Sequence, residues 1–390
     1  MPTLNPTDRP DLILVGASCR ALAYSAVRAG FRPLACDLYA DDDLRTVCEW
    51  IQIPRDDYPE RLPDHLAAYP PLPLVYTGGL ENHPGVLETL CRRHTIVGNP
   101  PSVLRDARDP SILHDILTTA GLHSPSVRTG DEAPTARSGW LAKPIRGSGG
   151  ARIREASSND SDDGGDNIYF QQRVRGVPAA AVFISGAEET VLVGITLQLV
   201  GESWLHAAPF NYCGNVGPLK FSHHVEEQIS RAGKAVAVRF GLRGLFGLDL
   251  VVDEDTVDQD ASRAWTIELN PRYTASVEVL EEALDISALA LHVSATRGRK
   301  LPALTPPSAK RVVGKAILYA RNDVQIGRRL KIESSSSDVR FRIADVPRYG
   351  ERIRRGRPVI TVMEQRSSVE ECLRALKESV RAVEALLRAP

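Results

Sequence analysis

Residues 140–152 read WLAKPIRGSGGAR, a short apolar run that reaches Lys143 and then enters a loop holding Gly147, Gly149 and Gly150. Glycine lets backbone N–H groups come close to an oxyanion, and a lysine beside them adds a point charge, so together they suit the phosphates of a nucleotide. A Walker loop needs its lysine after the glycines, followed by Ser or Thr at a helix start. Here the lysine comes first, which excludes a P-loop NTPase.

Two further strand-like runs carry acids at their ends, Gly247-Leu248-Asp249 and the IELNPR of residues 267–272. Side chains alternate along a strand, so Glu268 and Asn270 share a face, and Asp249 on a neighbouring strand can join them. Oxygen donors of this kind suit Mg²⁺ shared with phosphates. Burying such carboxylates unpaired is costly, so either a cation or open solvent must accompany them. Arg272 follows directly, and its planar fork suits a carboxylate or a phosphate.

Outward from this centre the chain changes style twice. Residues 11–100 hold four short apolar runs, at 11–16, 31–36, 73–76 and 95–97, with an alanine-rich helical stretch up to Gly30. That opening predicts a small doubly wound parallel sheet. A helix over 109–120 leads to short strands and glycine turns from about Trp140 onward, which predicts an α+β region with a mostly antiparallel sheet. The acidic tracts at 157–166 and 253–260 lack the ligand spacing of a calcium loop and are expected to be solvated hairpin tips. After the proline-rich joint at 301–310 come three more strand-like runs. The final stretch spaces Val369, Leu373, Leu376, Val380, Val383 and Leu387 as one helical stripe, which is expected to pack on a sheet.

Composition narrows the function. In 390 residues, 48 Lys plus Arg balance 49 Asp plus Glu for a net charge of −1. Nothing here recruits nucleic acid or an anionic membrane. No run approaches the ~18 apolar residues of a membrane span, and the first residues lack a signal pattern, so a cytoplasmic protein is expected. The six cysteines form neither a CxxC pair nor zinc spacing and are expected to be reduced.

Lysine with a glycine loop, then Asp, then Glu-x-Asn-Pro-Arg resembles the ATP-grasp superfamily of carboxylate–amine and carboxylate–thiol ligases. The resemblance extends over nearly the whole chain and implies an ATP-grasp fold. It implies a Rossmann-like domain at 1–104, a central and lid domain at 105–305 with the lid near 124–176, and a β-rich block with a terminal helix at 306–390. Lys143 would hold the α/β-phosphates of ATP under a lid formed by Gly147, Ser148, Gly149 and Gly150. Asp249, Glu268 and Asn270 would carry Mg²⁺, or Mn²⁺ in its place. YFQQRVRG would be the adenine hinge, with Gln171, Gln172 and Val174 at its recognised positions and Pro178 where a ribose-binding acid is usual. A second phosphate-binding residue would be Arg108 or Arg105. Arg272 would face the acyl phosphate or the substrate carboxylate.

Residues 210–218, FNYCGNVGP, resemble a YxGxxGP segment of the predicted ATP-dependent carboligases, a group related to tyramine–glutamate ligase and to ATP-grasp proteins of tetrahydromethanopterin-linked metabolism. In this reading Tyr212, Asn215 and the tandem His223-His224 would line the acceptor pocket, joined by Ser18, Arg20 and Glu81 from the first domain. The VGASCRALA segment with Asp37 imitates a dinucleotide fingerprint, but Ser18 and Ala21 stand where its later glycines belong, which argues against NAD. The expected activity is amide formation through an acyl phosphate, joining an amino acid such as glutamate to a small amine or cofactor precursor, in a chain that acts alone or as a homodimer. The alternatives are a regulatory ATP-binding protein, or a phosphotransferase using His223 or His224.

Overall fold

The structure is a computed structural model that describes residues 9–129, 134–157, 168–253, 262–301, 311–330, 333–336 and 339–388. The two acidic tracts and the proline-rich joint fall outside the described residues beyond their first positions. The first unit alternates strands β1 (Leu12–Val15), β2 (Pro33–Asp37), β3 (Glu49–Gln52), β4 (Pro73–Tyr76) and β5 (Thr95–Ile96) with helices α1 (Arg20–Arg28), α2 (Asp42–Arg45), α3 (Leu62–Leu66) and α4 (Pro84–Cys91). The strands pair in the order β3-β2-β1-β4-β5, parallel throughout, as the four apolar runs predict for β1, β2, β4 and β5, while β3 is an additional strand that no run marks because its side chains are exposed or half-buried. β1 and β2 are buried along their whole length, which is why they read as unbroken apolar runs rather than alternating ones.

Helices α5 (Pro101–Ala107) and α6 (Pro110–Thr119) lead onward. Asp109 caps α6 by accepting from the backbone N–H of Ser111 at 2.8 Å, and Pro110 stands in the first turn, where its missing N–H costs nothing. A four-stranded sheet follows, ordered β6 (Val127–Thr129), β9 (Ile168–Gln172), β7 (Trp140–Pro144), β8 (Arg154–Glu155), and it carries Lys143 and the glycine loop.

The large sheet joins β10 (Val177–Ser185), β11 (Thr190–Val200), β12 (Tyr212–Gly217), β13 (Gly244–Asp253) and β14 (Arg263–Asn270) with later strands. Helix α7 (His223–Phe240) starts at a Ser222 cap and ends at Gly241, whose φ of 65° is the left-handed turn glycine tolerates. Helices α8 (Ala275–Leu284) and α9 (Ala288–Thr296) come next, then β15 (Val312–Tyr319), β16 (Val324–Gln325), β17 (Glu333–Ser336), β18 (Val339–Ala344), β19 (Arg352–Ile353), β20 (Pro358–Arg366) and α10 (Val369–Arg388). The order is β14-β13-β10-β11-β12-β15-β20-β18-β17, antiparallel wherever neighbours pair. The expected boundary near 305/306 thus lies between strands of one sheet, with β12 bonded directly to β15. The α10 stripe packs as its spacing predicts, with Leu376, Val380 and Val383 buried in a core shared with β15 and β20. All six cysteines are free, and only Cys91 is exposed.

Candidate active site

A cleft of about 1090 Å³ opens between the parallel sheet, the four-stranded sheet and the large sheet, with the two-stranded sheet of β16 and β19 also on its wall. Every residue expected at the site lines it, apart from Arg105, Arg108, Asn215, His223 and His224, as do the loops after β1 and β4 and the segment from Asp345 to Thr361.

On one wall, β13 and β14 pair so that Asp249 stands directly opposite Glu268 and Gly247 opposite Asn270. The Asn270 amide donates to Asp249 Oδ2 at 3.1 Å, and Gln198 of β11 donates to Oδ1 at 2.8 Å. Gln198 reaches across β10 because the residue facing Asp249 there is Ala180, too small to intervene. Burial, reinforced by the charge of Glu268, pushes the Asp249 carboxyl up to about 6. The same burial acts on Glu268, but Arg108 and Lys143 outweigh it and hold that carboxyl below its ordinary value. Glu268 accepts from Arg108 Nη1 at 2.5 Å while about a third of its side chain stays open to the cleft. Two facing carboxylates plus an amide oxygen form a hard-oxygen donor set with a free side, which fits Mg²⁺. Among the described residues no cluster of three His, Cys, Asp or Glu accompanies them.

Lys143 sits on β7, buried, donating to Gln171 Oε1 at 2.9 Å and lying 5.8 Å from the ring centre of Tyr169. Gln171 in turn donates to the Ile267 carbonyl at 3.1 Å, tying the smaller sheet to β14. Its side chain therefore holds the lysine and braces the two sheets, whereas Gln172 and Val174 present the chain to the cleft rim. The loop of Gly147, Ser148, Gly149 and Gly150 is pinned over the cleft. Asn82 donates to the Gly147 carbonyl at 3.0 Å, Arg108 to the same oxygen at 3.3 Å, and the Tyr212 N–H to the Gly149 carbonyl at 3.0 Å. Gly150, at φ 75°, lies so close to β12 that a Cβ there would stand 1.9 Å from the Phe210 carbonyl oxygen.

Of the two arginines expected before the central region, Arg105 pairs with Glu88 at the surface, and Arg108 reaches Glu268 and the glycine loop. Arg272 bonds Glu81 Oε1 through Nε at 2.8 Å and Asn270 Oδ1 through Nη2 at 3.0 Å, so Glu81 acts as its anchor. Asn215 is fully buried, accepts from the Tyr212 hydroxyl and donates to Thr196 Oγ1 at 2.9 Å, so it shapes β12 without facing the cleft. Arg20 is engaged by Glu278 and Asp345, and Ser18 borders it on the loop after β1. His223 and His224 are exposed at the start of α7 and are not among the cleft residues. Asp37 accepts from the backbone N–H groups of Cys19, Tyr39 and Ala40 at 2.9, 3.1 and 2.7 Å, so the acid of the apparent dinucleotide fingerprint serves its own loops.

Sequence reading alone missed Gln198, Glu278 and Lys315. Each is a polar residue set into an apolar strand or helix run, the one signal that could have found them. Lys315, on β15, donates to Glu278 Oε2 at 3.1 Å, and Arg20 pairs with the same carboxylate from α1.

No curated protein matched the sequence. Solved structures do match: the biotin carboxylase domain of the Hydrogenobacter thermophilus 2-oxoglutarate carboxylase, described with MgADP, ADP and bicarbonate, superposes with a TM-score of 0.73 at 14% identity, covering 97% of this chain and 90% of that one. The L-amino acid ligase of Bacillus licheniformis gives 0.69 at 14%, over 96% and 98% of the two chains. The N5-carboxyaminoimidazole ribonucleotide synthetase of Thermus thermophilus gives 0.64 at 15%, over 97% and 99%. Residues 108–276 match the family model of the ATP-grasp domain. The chain therefore carries an ATP-grasp domain, and its fold is that of the ATP-grasp ligases and carboxylases.

Proposed function

We propose that the protein is an ATP-dependent carboxylate–amine ligase. The carboxylate of one substrate attacks the γ-phosphorus of ATP, giving an acyl phosphate and ADP. An amine then displaces phosphate, giving an amide and inorganic phosphate. The observation that carries this reading is the opposed pair Asp249 and Glu268 with Asn270, placed in one cleft with buried Lys143 and the glycine loop.

Asp249, Glu268 and Asn270 are the residues that would hold Mg²⁺, which supplies charge neutralisation at the transferred phosphoryl group. Lys143, fixed by Gln171, presents its ammonium to the phosphates of ATP. Arg108 keeps Glu268 ionised and aimed into the cleft and holds the loop closed at Gly147, so the same guanidinium links metal ligand and lid. Arg272, immobilised by Glu81 and Asn270, offers positive charge where the acyl phosphate would form, and its fixed position means little reorganisation is needed as charge develops. The pinned loop excludes water that would hydrolyse the activated acid. Backbone groups at Gln172 and Val174 would receive the adenine.

The reading is tested by Mg²⁺-dependent ADP release with hydroxylamine as the amine, over a panel of amino acids, hydroxy acids and dicarboxylates. Hydroxamate formed in step with ADP is the expected result. ATP binding with no hydroxamate from any acid would refute it in favour of a regulatory nucleotide-binding protein. A phosphotransferase based on His223 or His224 has no support from their exposed position outside the cleft.

A further inference from the structure

Part of the cleft wall is built from two segments far apart in sequence. The loop after β2 contributes Tyr39 and Asp41, and the segment after β18 contributes Asp345, Arg352, Arg354 and Arg357. They are held against each other by the Asp43 carboxylate, which accepts from the backbone N–H groups of Asp345 at 3.0 Å and Val346 at 2.9 Å, and by the Asp42 N–H on the Val346 carbonyl at 2.8 Å. The wall is thus fixed and does not rest on a solvated loop tip.

Within it Asp41 stands apart. It is 7% exposed and borders the cleft, yet its carboxylate makes no hydrogen bond or ion pair among the described residues. Its neighbours are accounted for. Asp345 accepts from Arg20 and Thr361, and Asp37 is saturated by backbone amides. Its oxygens are open to the cleft rather than sealed from it, so a cation arriving there can pair with them. Burial, then the nearby Asp345, Asp37 and Asp43 charges, raise the Asp41 carboxyl well above the usual range, with Arg20 opposing them. Arg352, Arg354 and Arg357 line the same cleft from one short segment, and none makes a side-chain ion pair or hydrogen bond among the described residues.

We infer that this wall of the cleft binds the amine substrate, and that the amine is amino-acid-like: its ammonium meets Asp41, to which it gives up the proton it must lose before the nitrogen displaces phosphate, and its own anionic group meets the Arg352–Arg357 segment. The inference rests on the ligase reading and adds to it the chemical class of the nucleophile. Arg272, beside the metal-ligand acids, serves the other substrate's reacting carboxylate, so the two anionic groups are received by different arginines.

The test keeps the two readings apart. Hydroxamate formation reports activation of the acid by ATP, with the acyl phosphate trapped by a nucleophile too small to need this wall. To the acid that gives most hydroxamate, amines are added in pairs differing only in a carboxylate: tyrosine and tyramine, histidine and histamine, alanine and ethylamine. The ratio of amide to hydroxamate is measured for each. For at least one pair the amino acid should exceed its decarboxylated counterpart about tenfold or more. Asp41→Asn should lower the ratio for both members about tenfold. Arg354→Gln should lower it for the amino acid alone, and because Arg354 is exposed this variant remains informative if Asp41→Asn fails to fold. Equal use of both members in every pair, or ratios that these substitutions leave in place, overturns the inference while hydroxamate formation upholds the ligase. Absence of hydroxamate from every acid overturns both.

Discussion

Glu278 ties three parts of the chain together, and replacing it with glutamine should be expensive. It is 5% exposed and pairs with Arg20 of the first unit and Lys315 of the last, so its loss leaves two buried cations facing an amide. Burial works against its charge, but Arg20 and Lys315 overcome this and bring its carboxyl down to about 2 from an ordinary 4.5. At 1.36 kcal/mol per unit, that difference contributes ~3 kcal/mol at pH 7, in line with the ~3–5 kcal/mol measured when one partner of a buried pair is removed. The sign follows from linkage. A carboxyl lowered on folding stabilises above its unfolded value and loses that stabilisation as pH falls toward the folded value. Urea unfolding of wild type and Glu278→Gln at pH 7 should therefore differ by ~3 kcal/mol, and by pH 3 roughly 2 kcal/mol of that gap should be gone. A gap below ~1 kcal/mol at pH 7, or one that does not shrink toward pH 3, would refute the reasoning.

Other outcomes follow from the same geometry. Glu268→Gln should cut ADP release on the order of 100-fold or more. Its apo form should melt below wild type, because the charge that Arg108 and Lys143 stabilise is lost and Arg108 is left without its ion pair; an active variant would remove the metal assignment. Gly150→Ala sets a Cβ against the Phe210 carbonyl at a left-handed position, so the loop must lift. Steady-state turnover should fall on the order of 100-fold while circular dichroism stays that of wild type. Arg105→Ala touches only the surface pair with Glu88 and should leave turnover within about twofold and stability within ~1 kcal/mol. Chelation of Mg²⁺ should stop ADP release, with recovery on adding it back.

The parallel first sheet was legible because β1 and β2 are buried on both faces and therefore spell continuous apolar runs. Glu268 and Asn270 were legible through simple alternation, and Asp249 through its place at the end of a neighbouring run. Local pattern could not show which strands become neighbours. Arg20 and Asp345 lie 325 positions apart, and only the docking of the loop after β2 onto the turn after β18 brings them together. Gln198 was hidden for a related reason, since its partner is two strands away and the contact depends on the small Ala180 between them. Glu81 was expected at the substrate and found anchoring Arg272, because sequence indicates a charged residue near a site without indicating which neighbour claims it.

The direct bonding of β12 to β15 also bears on how the chain is made. Residues 218 to 311 must all be synthesised before the edge of β12 meets its partner. At ordinary elongation rates of ~5–20 residues per second, that strand waits roughly 5 to 20 s with unpaired backbone groups as it leaves the ribosome. Unpaired edges are templates for pairing with other chains, so nascent protein is most vulnerable to misassembly in that interval. A gene truncated after Leu301 would make the interval permanent, and such a fragment should collect in inclusion bodies unless the missing strands are supplied in trans.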